Sequence, residues 1–288
     1  MLVAACFLWG VSFVIVKDAL SAATPLAFVA LRFGLAAAVL APFAQLGAPF
    51  AKGELAAGGL LGLLLGAGFI AQTAGLVHTT PSRSAFIVAI SSVLAPAIAA
   101  LLLRERPRLS LVVAVLLAGA GTYFLSAPES GGLNRGDLLT MITAVLFGGQ
   151  IVAIAALSRR YDAMRLVWLQ IAGTAVLSVL GMAVLEHPRI AWSPAFVGAV
   201  AFTGVGATVV ALLWQVQAQR HMSTTRAALL FCFETLFAAL ASWVWLGERL
   251  SLLQWLGGGL ILGGMVLADL PPTRPAPRPG GGSPVGFD

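Results

Sequence analysis

Charged residues punctuate this chain at near-regular intervals and leave long apolar runs between them. Stretches free of Asp, Glu, Lys and Arg cover 33–51, 55–82, 84–103, 109–128, 138–158, 166–185, 190–219 and 250–268. Most approach the ~20 residues that an α-helix needs to cross ~30 Å of hydrocarbon. A helix satisfies its own backbone polar groups where lipid cannot. The pattern predicts ten spans, near 2–19, 25–46, 55–77, 83–103, 109–126, 138–158, 164–185, 195–218, 225–246 and 252–269. Connections are short and carry Pro, Gly, Ser or charge, as at Thr24-Pro25, Gly47-Ala48-Pro49, Pro107, Pro128 through Gly132, and His187-Pro188. Beyond Asp269 the pattern stops. Residues 270–288 are rich in Pro and Gly, cannot pack a core, and are expected to be disordered.

Composition agrees with the pattern. Hydrophobic residues make up 59% and charged residues 10% of the chain, against about 25% charged in soluble domains. A soluble protein with a very large core would need polar faces on its outer helices, and those are missing. The expected fold is an all-α integral membrane protein. The net charge of +6 lies on scattered basic residues with no basic face, which gives no nucleic-acid partner. Cys6 and Cys232 fall inside spans and read as small buried hydrophobes. Met1 opens an apolar stretch with no charged front. It reads as a first span rather than a signal peptide, although Ser21-Ala22-Ala23 imitates a cleavage site. Eleven Lys and Arg fall on the side of the termini, five fall on the other, and Arg32 lies within a span. This bias places both termini in the cytoplasm of a multi-pass inner (plasma) membrane protein.

One segment is written twice. Residues 82–106 align without a gap on 225–249 at a constant offset, 143, which also pairs Gln72 with Gln215 and His78 with His221. Earlier segments align at 138: Leu8-Trp9-Gly10 with Leu146-Phe147-Gly148, Phe13 with Ile151, and Leu31-Arg32 with Leu169-Gln170. The expected domains are a first five-helix repeat over 1–127, a second over 137–269, and the tail over 270–288. Five is odd, so the second repeat should enter the membrane inverted. Inverted repeats provide two nearly equivalent conformations, the basis of alternating access. Gly58, Gly62 and Gly66 in span three, and Gly259 and Gly263 in span ten, have the spacing that lets helices approach closely.

These residues also carry a resemblance. Leu8-Trp9-Gly10-Val11-Ser12-Phe13, Leu31-Arg32-Phe33, and Phe233-Glu234-Thr235-Leu236-Phe237-Ala238-Ala239-Leu240 followed by Leu246-Gly247-Glu248-Arg249-Leu250 resemble the EamA-type family of the drug/metabolite transporter superfamily. The first-half copy ends in Leu103-Arg104-Glu105-Arg106, and the likeness covers 1–269. Among its branches the chain is also similar to aromatic amino acid exporters of the YddG type. Members often carry Pro after the span-nine Glu. Here Thr235 stands there, and Pro96 occupies another position in the first-half copy. The resemblance implies export of amino acids, other metabolites or drugs.

Polar groups inside hydrocarbon are costly and tend to face a bundle interior or a wet cavity. Glu234, mid-span with Ala227, Phe231, Ala238 and Ala241 on its face, can exchange a proton or meet an amine. It can equally be a neutral acid bonded to a neighbouring helix. Arg32 can meet a carboxylate, pair with Glu234, or snorkel. Gln72, Gln150, Gln170 and Gln215 sit mid-span and suit either a cavity that handles a zwitterion or interhelical hydrogen bonding. Trp9, Phe13, Phe86, Trp214, Phe231 and Phe233, with Ser12, are candidate cavity walls or ordinary packing. Trp192, Trp243, Trp245 and Trp255 fit the interfacial belt. Arg83 and Arg226 open the duplicated segments, and Glu105 and Glu248 close them, as anchors or as a gate paired across the repeat.

No G-x-x-x-x-G-K-[ST] motif is present, and His78, His187 and His221 are far apart. No cofactor, metal or enzymatic chemistry is therefore expected. The reading is a secondary-active exporter of small organic solutes, most simply amino acids or related metabolites. The implied partners are the bilayer, the small-molecule substrate and protons as the candidate coupling ion, in a monomer or homodimer. The alternatives are a proton-coupled exporter of cationic drugs and, from another class, a membrane-embedded enzyme or structural membrane protein.

Overall fold

The computed structural model describes residues 1–44, 47–104, 109–126, 134–246 and 251–269. The chain forms α1 (Leu2–Ala19), α2 (Pro25–Leu40), α3 (Glu54–Leu76), α4 (Pro81–Leu102), α5 (Leu109–Ser126), α6 (Arg135–Leu157) and α7 (Ala163–Leu185), then α8 (Pro194–Gln219), α9 (Thr224–Leu246) and α10 (Leu252–Asp269). Among the described residues there is no strand beyond one isolated bridge, Ala23 with Ile190. Among the described residues, eight helices are long and apolar enough to cross a membrane. In α5 and α10 the apolar stretches are shorter, Leu109–Phe124 and Trp255–Gly264. The proposed tail and the repeat-closing Glu105 and Glu248 lie outside the described residues.

Helix starts carry their own signals. Pro25, Pro81 and Pro194 stand in first turns, where the missing N–H costs nothing. Thr80, Asp162 and Ser193 side chains accept from the third helical N–H. Asn134 and Asp137 form a reciprocal capping box. Gly53 has φ 83° before Glu54, a left-handed turn that suits glycine.

Burial runs opposite to that of a soluble bundle. Large apolar side chains such as Leu63, Val145, Leu180 and Val184 are exposed, whereas Arg32, Gln150, Gln170, Thr174 and Gln215 are buried. Outward apolar surface suits lipid. Trp192, Trp243, Trp245 and Trp255 are all exposed.

The main helix pairings look the same when α1–α5 are exchanged for α6–α10. α2 packs on α7, α4 on α9, and α5 on α10. α1 crosses α9 as α6 crosses α4, and α3 meets α6 and α7 as α8 meets α1 and α2. Glycines set the closest approaches. A Cβ on Gly10 would lie 2.7 Å from the Glu234 carbonyl oxygen. The matching Gly148 lies against the Ser91 carbonyl at 3.5 Å. Gly58, Gly62 and Gly66 face α7. Gly259 and Gly263, expected to pack, face open space. The tight contacts of α10 run instead through Gly264, against Ala114, and through its Gly257 carbonyl, against Gly121.

Each end of the bundle is tied by polar contacts. At one end Lys17, closing α1, donates to the carbonyls of Leu76 (2.6 Å) and Thr79 (3.0 Å) between α3 and α4. Thr79 donates to Asp137 at the start of α6, and Arg83, opening α4, pairs with the same carboxylate at 2.6 Å. The α1–α2 and α7–α8 turns meet beside them. At the other end Arg165, opening α7, lies 3.6 Å from Glu54, which opens α3. There too Arg220, closing α8, donates to the carbonyls of Ser158 (2.6 Å) and Tyr161 after α6.

Candidate functional site

Two adjoining cavities lie inside the bundle. The first is bounded by α1, α3, α4, α6, α8 and α9. The second runs between α1, α2, α3 and α9. Trp9, Phe69 and Glu234 border both. The contact between Gly10 and α9 makes this arrangement. It brings α1 onto the Glu234 backbone and sets the neighbouring Trp9 beside the acid. The Trp9 ring then packs against Phe231, with centroids 5.9 Å apart, and its Nε1–H donates to the Ala207 carbonyl at 2.8 Å.

Most of the residues singled out from the sequence meet here. Trp9, Gln150, Gln215, Phe231 and Glu234 border the first cavity. Ser12, Phe13, Arg32 and Gln72 border the second, with Trp9 and Glu234. Two are elsewhere. Phe86 points to the far side of α4, where its ring meets Tyr123 at 5.8 Å in a separate groove. Trp214 packs against the cluster around Leu2, Ala5 and Cys6. Phe233 stacks on Phe237 at 5.9 Å. Cys6 and Cys232 are buried free thiols.

The Glu234 carboxyl makes no hydrogen bond or ion pair among the described residues, so it is an acid open to the cavities rather than one spent on a neighbouring helix. Arg32 neither snorkels nor pairs with Glu234. It is 2% exposed, and its Nε donates to Thr208 Oγ1 at 2.8 Å and its Nη2 to the Ala207 carbonyl at 3.3 Å. Its guanidinium lies 4.6 Å from the Phe69 ring centre and 5.4 Å from that of Phe33. The acceptors belong to a nine-residue π-helical segment in α8, Phe202–Val210. There Thr208 Oγ1 donates in turn to the Thr203 carbonyl at 2.8 Å. Wide π turns are enriched at functional sites.

The glutamines form a chain. Gln215 Nε2 donates to Gln150 Oε1 at 3.2 Å, and Gln150 Nε2 to Gln170 Oε1 at 3.1 Å. All three are buried.

Sequence reasoning missed several wall residues: Phe69, Val88, Ser91, Ser92, Phe147 and Thr235. The repeat held the signal for most of them. Trp9 and Phe147, Val88 and Phe231, Ser91 and Glu234, and Ser92 and Thr235 are repeat mates that face the same cavity. Ser92 and Thr235 also carry buried hydroxyls with no hydrogen-bond partner among the described residues.

Relatives give an independent view. The sequence profile of the EamA-like transporter family matches residues 1–127 and again 134–268. An uncharacterized transporter of Archaeoglobus fulgidus is 32% identical over 263 residues, covering 91% of this chain and 82% of its own. Another from the same organism is 23% identical over 267 residues, covering 90% and 94%. A solved crystal structure superposes with a TM-score of 0.76 at 20% identity, over 92% of this chain and 94% of the other. That likeness speaks for the fold alone.

Proposed function

The chain belongs to the EamA-like transporter family, and from that premise we propose that it exports small organic solutes, amino acids or related metabolites, by alternating access. The observation that carries this reading is the central cavity, whose walls are built from repeat mates around the unpartnered Glu234.

Ten spans in two inverted five-helix repeats are the architecture we propose. Support comes from the helix ends. α1 finishes and α6 starts at the end holding Lys17 and Asp137, whereas α3 starts and α8 finishes at the end holding Glu54 and Arg220. Repeat mates thus run in opposite directions, and exchanging the two halves' conformations would move the cavity's opening from one end to the other. The bias of Lys and Arg supports termini on the cytoplasmic side of an inner (plasma) membrane.

In this mechanism the solute enters between aromatic walls. Trp9, Phe69, Phe147 and Phe231 take its apolar body, Glu234 its amino group, and Arg32 with Gln72 and Ser12 its carboxylate side. Arg32 still has uncommitted N–H groups for that role, since it uses two of five. Export of cationic drugs with proton coupling is the second reading. The acid without a partner between aromatic faces favours it. Proteoliposomes loaded with amino acids or cationic dyes, with and without a pH gradient, test both. Amino acid flux lost in Glu234→Gln supports the first reading and dye flux driven by the gradient supports the second. No flux of any solute defeats the proposal.

A further inference from the structure

The three glutamines are repeat mates of a second polar set. Gln150 and Gln170 correspond to Ser12 and Arg32 at offset 138, and Gln215 to Gln72 at 143. Gln150 and Gln215 border the first cavity, and Ser12, Arg32 and Gln72 border the second. In the first half, the position equivalent to Gln170 holds Arg32, a group with donors only.

An amide chain has a direction. Gln215 spends its N–H on Gln150, and Gln150 spends its own on Gln170. The run ends at the Gln170 Nε2, which is buried and has no partner among the described residues. At the cavity end this leaves the Gln215 carbonyl oxygen uncommitted on the same wall system as Glu234. Two acceptor groups, the Glu234 carboxyl and the Gln215 side-chain carbonyl, then belong to residues that border one cavity.

We infer that Gln215, held by Gln150 and Gln170, forms with Glu234 a subsite for a primary ammonium group. A primary ammonium has three N–H donors and can satisfy both acceptors. A quaternary ammonium has none, and a carboxylate is repelled. The inference rests on the transport reading above and sharpens it. Amine-bearing solutes with free N–H groups are selected over fully N-methylated cations of the same body. Gln170 does not border either cavity and acts as a positioning residue that fixes the direction of the chain.

The test uses purified full-length protein and calorimetric titration with 2-phenylethylamine, its N,N,N-trimethyl derivative and 3-phenylpropionate. The expected order is primary amine first, by about tenfold over the trimethyl compound, as for one hydrogen bond to a charged group. Gln170→Met should bring that ratio down to about threefold or less while the trimethyl compound keeps its affinity, which a merely structural role would not do. Should Gln170→Met fail to fold, the N-methyl series decides in the unaltered protein, where affinity should hold for the N-methyl compound and fall at the N,N-dimethyl and trimethyl compounds, which have fewer than two N–H groups. Equal binding of the primary and trimethyl amines, propionate binding as tightly as the amine, or a ratio unmoved in Gln170→Met overturns the inference. Binding of no amine does so as well. Solute flux in proteoliposomes judges the transport reading separately. Flux without amine discrimination removes only this subsite, and no flux removes both.

Discussion

Gly10 and Gly148 occupy equivalent positions in the two halves but do not have equal room. A Cβ at Gly10 would sit 2.7 Å from Glu234 O and from Phe237 Cβ, and 2.8 Å from the Ala238 nitrogen. Ordinary carbon contacts begin near ~3.5 Å, so Gly10→Ala must push α1 off α9 by roughly 1 Å. Two of the three opposing atoms are backbone and cannot rotate aside. Overpacking of this kind costs about 1–3 kcal/mol, offset by about 1 kcal/mol from the better helix propensity of Ala. At Gly148 the nearest atoms are Leu94 Cβ at 3.4 Å, Ser91 O at 3.5 Å and Ile98 Cδ1 at 3.6 Å. Gly148→Ala there meets normal contacts and keeps the propensity gain. The two variants should differ by about 2 kcal/mol in stability, or several degrees in Tm, by tryptophan fluorescence in detergent. Alternating access adds a second consequence. If the halves exchange conformations, Gly148 becomes the crowded position in the opposite state. The two alanine variants should then bias the protein toward opposite-facing states, read as opposite changes in spin-label distances across each end. Equal Tm values, or bias in the same direction, would refute the reasoning.

Three further outcomes follow from the geometry. Asp137→Asn weakens a buried carboxylate that takes Arg83, Thr79 and the Asn134 N–H; thermal unfolding should show a loss of about 2–3 kcal/mol. Arg32→Lys keeps the charge but loses the planar fork that reaches both Thr208 and Ala207. Its stability should fall by about 1–2 kcal/mol, measured by chemical denaturation, and solute flux should drop with it. Glu234→Gln removes the carboxyl proposed to exchange protons, so any pH response of flux in proteoliposomes should vanish while the protein still folds; a retained response would assign coupling elsewhere.

Much of this was legible in the sequence, for identifiable reasons. Charge-free runs marked the helices because a backbone in lipid has no other way to satisfy its polar groups. The repeated Leu8-Trp9-Gly10 and Leu146-Phe147-Gly148 aligned the two halves, but that Gly10 is where α1 touches α9 at Glu234 shows only in three dimensions. Phe86 failed for a helical reason. It lies five residues before Ser91, and that spacing turns it toward Tyr123 while Ser91 faces the cavity. The Arg83 partner became visible only in three dimensions. Asp137 had no role in the sequence reading; in the structure it caps α6, and the same carboxylate also joins the two halves. The π segment carried no periodic signal. Its Gly204, Gly206 and β-branched Val205, Thr208, Val209 and Val210 only weaken helix propensity. Its role shows in the Arg32 and Trp9 donors that converge on Ala207.

The central claim is that one cavity opens in turn to both sides of the membrane. Ser91, on the cavity wall and mate of Glu234, offers a direct probe. With Cys6 and Cys232 replaced by Ala, Ser91→Cys can be labelled with a membrane-impermeant maleimide in intact cells and in inverted vesicles. Alternating access predicts labelling from both sides and protection by transported solute. Labelling from one side alone, whatever the solute or gradient, would contradict it.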